Sequence, residues 1–358
     1  MTAKAAHSPE DEQLAAGLYR GFAVLAGLAV LEIAAGCAIG TKPVSFYLLP
    51  QNAFEFFAYL LPLIAWPAWL AAKAHGANTA IIPYVRREVS EQRGWFLRGF
   101  LIYLLLLPVM RAFSAIKSAI PALNPSYADN WFAEVDRALF LGVEPWQITH
   151  ALIGPTGTVA LDLLYILWFP MAALLFIATA FARDPVFQLR ASLSHLATWI
   201  VLGSLLAVAL SSVGPCYVEP LFGDQRFVPL TDRLREQPLF MHENHAYLLA
   251  AYGQEVRGGG ISAMPSLHVA LAALLHVLCR DRFGARHWAG YASLVYAVLI
   301  WIGSVHLAWH YAVDGIVSAL GVVLIWRLST RLVPDGGDRK TQGASYPPAR
   351  EHGLAEAV

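Results

Sequence analysis

The chain has 358 residues, of which 57% are hydrophobic and only 14% are charged. Soluble domains carry about 25% charged residues, so this composition excludes an ordinary soluble protein and favours an integral membrane protein. The 25 basic and 25 acidic residues balance, which gives no electrostatic indication of nucleic-acid binding, and no nucleic-acid partner is expected.

The N-terminal residues are polar, and the first apolar run is too long for a signal-peptide core, so it is typical of a retained signal anchor. Eight apolar stretches are long enough for about 20 residues of membrane-spanning helix. They predict spans at 18–40, 54–73, 96–116, 157–182, 191–213, 265–281, 287–306 and 309–331. The fold class expected is an all-α integral membrane protein of about eight transmembrane helices.

Basic residues give the orientation of these spans. Eight spans place both termini on one side, and 17 of the 25 Lys and Arg residues then lie on that side. Cytoplasmic loops carry the excess of basic residues, so both termini are expected in the cytoplasm. The alanine-rich composition and the lack of a usable glycosylation sequon favour a bacterial inner membrane, although a Golgi-type membrane stays possible.

Two long segments, 117–156 and 214–264, lie on the outer side in this topology. In the first, Trp131, Phe132 and Leu139 recur at helical spacing, which indicates an extracytoplasmic helix lying in the membrane interface. An amphipathic lid packed on the helix bundle is an equal alternative.

Ionisable residues inside membrane spans are costly and therefore indicate function. His268 opens the sixth span, His306 and His310 lie at the outer turn between the last two spans, and Asp314 begins the eighth. His310 and Asp314 have the i, i+4 spacing that brings two side chains together on a helix. The carboxylate would then fix the tautomer of His310 and leave its other nitrogen as a nucleophile or base.

His268 offers a second imidazole that suits general-acid chemistry on a leaving oxygen. Pro265 is expected at the first helical position, where Ser266 and the free N–H groups of the first turn form an anion site. A nucleophile, an acid and an anion site at a membrane surface suggest phosphoryl transfer on a lipid.

Other interpretations apply to each part of this group. Histidines near helix ends are often merely interfacial, and a His–Asp pair at this spacing is often only a structural hydrogen bond. His195 and His276 are interpreted as packing or interhelical hydrogen-bonding residues. The "MHENHAY" segment (241–247) contains metal-ligand residue types, but without a helix-face spacing that supports a metal site.

The residues around His268 and around His310 resemble motifs of the type 2 phosphatidic acid phosphatase superfamily. That family carries Pro-Ser-Gly-His and, later, Ser-Arg, five residues, His, three residues, Asp; here the corresponding stretches are "PSLH" (265–268) and "SVHLAWHYAVD" (304–314). The resemblance implies a six-helix catalytic bundle, attack of His310 on phosphorus, protonation of the leaving group by His268, and orientation of His310 by Asp314. Ser266 would hold phosphate, and no metal or cofactor is implied.

This sequence departs from the family pattern at three places. Leu267 replaces the glycine, Ser304 replaces the phosphate-binding arginine, and "SSVGPCYVEP" (211–220) stands where a basic motif is usual. These differences, with "DRALFLGVEP" (136–145), are similar to the branch that contains inositol phosphorylceramide synthase.

The missing arginine leaves open which cation neutralises phosphate. The candidates are Arg257, Arg111, Lys117 and His306, with Arg257 and His306 favoured. Tyr311, which follows the nucleophile in the "HYxxD" pattern, is a further substrate-binding candidate.

The expected organisation is a cytoplasmic N-terminus with two additional spans (1–94), a catalytic membrane domain (95–333) and a disordered cytoplasmic tail (334–358). The expected function is transfer of a phosphoryl or phospho-alcohol group, such as inositol phosphate, between membrane lipids on the periplasmic face. A lipid phosphate phosphatase is the close alternative, and a transporter with a polar histidine relay is a more distant one.

Overall fold

The computed structural model describes residues 9–40, 42–125, 127–254 and 260–334, and in these ranges the chain is entirely helical, without strands. The first nine helices are α1 (Pro9–Ile39), α2 (Val44–Leu48), α3 (Ala53–Gly76), α4 (Ile81–Leu123), α5 (Asp129–Leu139), α6 (Pro145–Leu152), α7 (Pro155–Ile166), α8 (Trp168–Ala180) and α9 (Pro185–Ala197). A π-helix (Thr198–Leu206) follows, and then α10 (Ala207–Ala209), α11 (Val218–Phe222), α12 (Val228–Arg235), α13 (Met241–Ala250), α14 (Leu267–Phe283), α15 (Trp288–His306) and α16 (Ala312–Leu332). The all-α fold is therefore confirmed.

Seven helical stretches in the described ranges are long and apolar enough to cross a membrane. They are Glu12–Ile39, Glu55–Gly76, Ile81–Leu123, Pro155–Ala180, Pro185–Ala209, Trp288–His306 and Ala312–Leu332. The remaining predicted span corresponds to α14, which has 17 residues and so lies at the lower limit for a transmembrane helix. It packs against α15 and α16.

Helix α4 is much longer than the predicted span at 96–116. Residues 86–93, which precede Phe96, are polar except for Val89. Such a segment gives no hydropathy signal for a span, although a helix can continue through it. The boundary expected between residues 94 and 95 falls inside this continuous helix.

The beginning of α1 and the end of α16 meet at one end of the bundle. A Cβ at Gly17 would lie 3.0 Å from Pro334, and Arg190 of α9 donates to the carbonyl of Val333 at 2.7 Å. The other end of the bundle holds the end of α4, the beginning of α14 and the turn between α15 and α16.

Helix α5 packs on the bundle through one face. Asp129, Phe132, Ala133 and Asp136 are buried, whereas Trp131 is 62% exposed. The apolar stripe predicted from Trp131, Phe132 and Leu139 is therefore divided between the two sides of the helix. The buried carboxylates on the inner face become important at the site described below.

The contact between α1 and α4 predicts a difference between two glycine substitutions on α1. Gly36→Ala should destabilise the protein by about 1–3 kcal/mol, because its Cβ would lie 2.7 Å from the backbone of Ala112. Gly27→Ala meets nothing within 4 Å and should stabilise the helix slightly, since alanine is the better helix former. Thermal unfolding in detergent measures both, and equal midpoints would contradict this packing.

Candidate active site

A cavity of about 650 Å³ lies among the helices at the end of the bundle where α14 begins. Its wall combines residues of α4, α7, α8, the π-helix and α13 with residues 260–268 and the 309–310 turn. Most of the lining side chains are apolar or aromatic, and His268, His310 and Lys117 are among the few polar ones. We call this space the main cavity.

His310 lies in the wall of the main cavity and is paired with a buried carboxylate. Its Nδ1 is 3.2 Å from Oδ2 of Asp314, and Asp314 is fully buried. Because a carboxylate only accepts hydrogen bonds, Nδ1 carries the proton and Nε2 keeps a lone pair. The predicted pair is therefore present, but His310 precedes α16 and reaches Asp314 across Tyr311, the N-cap residue, rather than along a helix face.

Burial lowers the pKa of His310 to about 3, and the positive charge of Lys117 acts in the same direction, while a hydrogen bond to the backbone of Ala263 opposes it. The imidazole is therefore neutral at physiological pH. A neutral, oriented imidazole is the form that acts as a nucleophile.

The turn that carries His310 is fixed from two sides. The carbonyl of Ser304 accepts from the backbone N–H groups of Trp309 and His310 at 2.9 and 3.1 Å. Segment 212–216 packs on the outside of the turn, where Gly214 has a φ of +87° and a Cβ would lie 2.6 Å from the carbonyl oxygen of Trp309. Only glycine suits such a position, which explains the glycine of "SSVGPC".

His268 faces the same cavity from the first turn of α14. Its ring stacks on Tyr165 with centroids 4.4 Å apart and contacts Trp168 at 4.1 Å. The centroids of His268 and His310 are 6.2 Å apart. A phosphorus atom about 3–3.5 Å from a nucleophile, with a leaving oxygen about 3 Å from an acid, requires a separation of this order.

Two carboxylates of α5 hold the segments around His310 in place. Asp129 accepts from the backbone N–H groups of Val213 and Gly214 at 2.9 and 2.8 Å and from the Tyr311 hydroxyl at 3.0 Å. Asp136 accepts from the backbone N–H groups of Ala312 and Val313 at 2.6 and 2.8 Å, at the N-terminus of the helix that carries Asp314. Burial raises the pKa of Asp136 to about 6, while these two backbone hydrogen bonds lower it.

The beginning of α14 differs from the predicted arrangement. The helix starts at Leu267, Ser266 is its N-cap, and Pro265 therefore precedes the helix instead of opening it. The Ser266 hydroxyl accepts from the Val269 N–H at 3.4 Å and is fully buried. Ser266 thus satisfies a first-turn N–H that was expected to bind an anion.

Lys117 is the predicted cation that the structure brings to the histidines. It lines the main cavity together with His268 and His310, and among the described residues no carboxylate pairs with it. Arg111 lines the same cavity, but its guanidinium is paired with Glu55 and also donates to the carbonyl of Phe46 at 2.6 Å. The charge of Arg111 is therefore already neutralised.

Comparison with known families gives one match. A family model described as the PAP2 superfamily matches residues 130–328, more than half of the chain. The chain belongs to the PAP2 superfamily. No curated protein and no solved structure matches it. Members of the superfamily are phosphatases and phosphotransferases that act on lipids, so this PAP2 protein is an enzyme of that general kind, set in a membrane.

The remaining predicted substrate-binding residues lie elsewhere in this PAP2 protein. His306 is fully buried and uses both ring nitrogens on hydroxyls, Thr158 at 2.9 Å and Thr149 at 3.1 Å. Its ring stacks on His150 at 3.7 Å, and it does not line the main cavity. Tyr311 also points away from that cavity, since its hydroxyl donates to Asp129. Arg257 lies outside the described residues.

Several residues of the site were missed in the sequence. Tyr165 and Trp168 enclose His268, but nothing in the sequence marks them as site residues, because aromatic residues are common in apolar spans. Asp129 and Asp136 do leave a trace: they are seven residues apart on one helix, on the same face as Phe132. Acidic residues that share a face with buried apolar residues indicate buried hydrogen bonding.

The role of Asp136 predicts a catalytic defect at a residue outside the main cavity. Asp136→Asn removes the charge that binds two N–H groups at a helix N-terminus, so kcat should fall about tenfold while KM changes little. Glu134→Gln on the exposed face of α5 is the matched control. Its ion pair with Arg226 at 2.9 Å involves a side chain 57% exposed, and exposed pairs contribute little. A change in KM alone would contradict the positioning role.

Proposed function

We propose that this PAP2 protein is a lipid phosphotransferase that moves a phosphoryl or phospho-alcohol group between membrane lipids through a phosphohistidine at His310. The observation that carries the proposal is that His310, paired with buried Asp314, and His268 both lie in the wall of one mostly apolar cavity. The resemblance to inositol phosphorylceramide synthase makes an inositol phosphate head group a suitable candidate for the transferred group.

In the first half-reaction, Nε2 of His310 attacks phosphorus and forms a P–N bond while the P–O bond to the donor lipid breaks. An anionic phosphate beside His268 favours the protonated form of its ring, and this proton passes to the departing alkoxide. Asp314 holds the Nδ1 proton and stabilises the positive charge that develops on the His310 ring.

In the second half-reaction, His268 takes the proton from an acceptor hydroxyl, whose oxygen attacks phosphorus and restores free His310. A lipid phosphatase shares the first half-reaction and uses water in the second. The apolar and aromatic lining of the main cavity disfavours water and supports the alcohol as acceptor.

The charges in the cavity wall support a substrate with one negative charge on phosphorus. Arg111 is paired with Glu55, and Asp162, the other carboxylate in the wall, accepts from the backbone N–H of Phe240 at 2.6 Å. Lys117 is the cation in the described wall that lacks a carboxylate partner. In a low-dielectric site, one ammonium balances a phosphodiester monoanion better than a phosphomonoester dianion. Phosphodiester lipids are donors for transfer of a phospho-alcohol, so this balance favours the transferase over hydrolysis of phosphatidate.

The proposed location is a bacterial inner membrane with the site facing the periplasm. The main cavity lies at the opposite end of the bundle from the meeting point of α1 and α16, which supports a site on the far side of the membrane from the basic loops. The proposed organisation is an N-terminal segment (1–94), a catalytic domain (95–333) and a cytoplasmic tail (334–358).

His310→Gln should lower turnover of a phospholipid by about 10⁴-fold or more, as for the loss of other catalytic nucleophiles. It should also abolish covalent labelling of the protein by a phospholipid carrying radioactive phosphorus. His276→Gln, a histidine on α14 that hydrogen-bonds the carbonyl of Gly290, is the matched control and should keep both. Labelling of the His310→Gln protein would assign the nucleophile elsewhere.

The second half-reaction separates the transferase from the phosphatase. Purified protein receives phosphatidylinositol labelled in the phosphate, with and without ceramide as acceptor. A new labelled lipid that needs the acceptor is the expected product. Release of inorganic phosphate or inositol phosphate, unchanged by acceptor, would identify a hydrolase instead.

Lys117→Met should lower kcat/KM for a phospholipid donor by about tenfold to a hundredfold, because it removes a charged hydrogen bond to phosphate. Lys117→Arg should restore part of the loss. Lys42→Met, at an exposed lysine in the loop before α2, is the control and should behave as the unaltered protein. Equal kcat/KM for the Met variants at 42 and 117 would exclude Lys117 from phosphate binding.

A further inference from the structure

A second cavity of about 270 Å³ adjoins the main cavity on the outer side of the bundle. Its wall is formed by residues of α11 to α13 with Cys216 and Tyr217. Tyr217 and Met241 line both cavities, and α13 separates them. One face of α13 carries Asn244 toward the main cavity, and the other carries His245 toward the second.

The second cavity is bordered by buried polar atoms that lack partners. The Nε2 atom of His245 makes no hydrogen bond. The hydroxyl of Tyr217, a residue only 3% exposed, has no partner other than the neighbouring Cys216 thiol, a weak hydrogen-bonding group. Buried polar groups are rarely left without partners in native proteins, so these atoms indicate a polar occupant.

The ionisable groups of this wall are neutral or have partners in the protein. Burial lowers the pKa of His245 to about 3, so its ring is neutral and offers one donor and one acceptor. Arg235 is paired with Asp232 at 2.7 Å and exposed to solvent, and Nε2 of His242 lies 3.0 Å from the carbonyl oxygen of Gln237. Neutral groups that both donate and accept suit hydroxyls, and the volume equals that of about nine water molecules.

The second cavity is also connected to the catalytic turn. The ring of His245 contacts Trp309 with centroids 4.0 Å apart, and Trp309 directly precedes His310 in the wall of the main cavity. A group bound beside Tyr217 and His245 therefore lies close to the residue that directly precedes His310, at the place where Tyr217 lines both cavities.

We infer that the second cavity binds an uncharged, hydroxyl-rich group of the size of a single cyclic polyol, as the head group of the donor lipid or as a free alcohol acceptor. The inference rests on the proposed function for its place in the reaction, but binding itself does not require turnover. Tyr217 and His245 would be the residues that select this group.

Binding is tested on full-length protein in detergent carrying His310→Gln, so that no reaction interferes. The probe is myo-inositol, with D-glucose as a second polyol and choline as a charged comparison. At ten times its Kd, myo-inositol should raise the unfolding midpoint by about 2 °C. Adding Tyr217→Phe should raise the Kd about tenfold while raising the midpoint without ligand, since it removes a hydroxyl without a good partner.

The matched control is Tyr296→Phe, which removes another buried hydroxyl without a partner from a residue that lines neither cavity. It should leave the Kd for myo-inositol unchanged. Equal Kd values for the two Phe variants would overturn the inference, and so would stabilisation by choline without stabilisation by either polyol.

Kinetics on protein with His310 intact then distinguish the two sources of the polyol. If the cavity holds the donor's head group, Tyr217→Phe raises KM for phosphatidylinositol about tenfold but not KM for phosphatidate. If it holds the acceptor, KM for free myo-inositol rises instead. Unchanged KM values for all three would overturn the role in the reaction. Absence of turnover with every donor would contradict the proposed function while leaving the binding result to stand.

Discussion

The geometry of the active site depends on buried carboxylates that accept hydrogen bonds from the backbone. Asp129 joins segment 212–214 to Tyr311, and Asp136 binds the first N–H groups of α16. Charge-assisted hydrogen bonds are about twice as strong as neutral ones, and the positive end of the α16 dipole adds to the second set. The turn at 307–311 has no regular secondary structure of its own, so helix α5 acts together with the Ser304 carbonyl and the Asp314 carboxylate, which accepts from the Tyr311 N–H at 3.1 Å, to hold His310 in place.

This arrangement explains how a nucleophile is kept ready in apolar surroundings. The lining of the main cavity removes water, which strengthens every electrostatic interaction inside it. The same lining would leave an unsupported histidine free to take several rotamers. Asp314 on one ring nitrogen and Ser304 on the backbone of the turn remove that freedom, so the entropy of orienting the nucleophile is lost during folding and not during reaction.

The sequence predicted the helical membrane fold and the catalytic pair because both depend on local patterns. Apolar runs of about 20 residues identify spans, and a His and an Asp four residues apart are brought together by a helix or, as here, by the turn that leads into one. Which of the candidate cations lies beside the histidines was not predictable in this way. His306 is near His310 in the chain, but the end of α15 directs its ring to Thr149 and Thr158, whereas Lys117, distant in the chain, reaches the cavity from α4. Such a choice depends on helix packing, which the periodicity of a single helix does not encode.

The distribution of charge around His310 limits which phosphate group the site stabilises. Asp314, Asp136 and Asp129 are buried and none of them lines the main cavity, so three carboxylates stand behind the nucleophile. In the proposed mechanism their charges stabilise the positive ring of phosphorylated His310, but they repel an incoming anion. The backbone donors that bind them offset part of this repulsion. A substrate with two negative charges on phosphorus would meet more repulsion than Lys117 alone balances, whereas a diester with one charge would not. The carboxylates that preorganise the nucleophile therefore also act as a filter on the charge of the substrate.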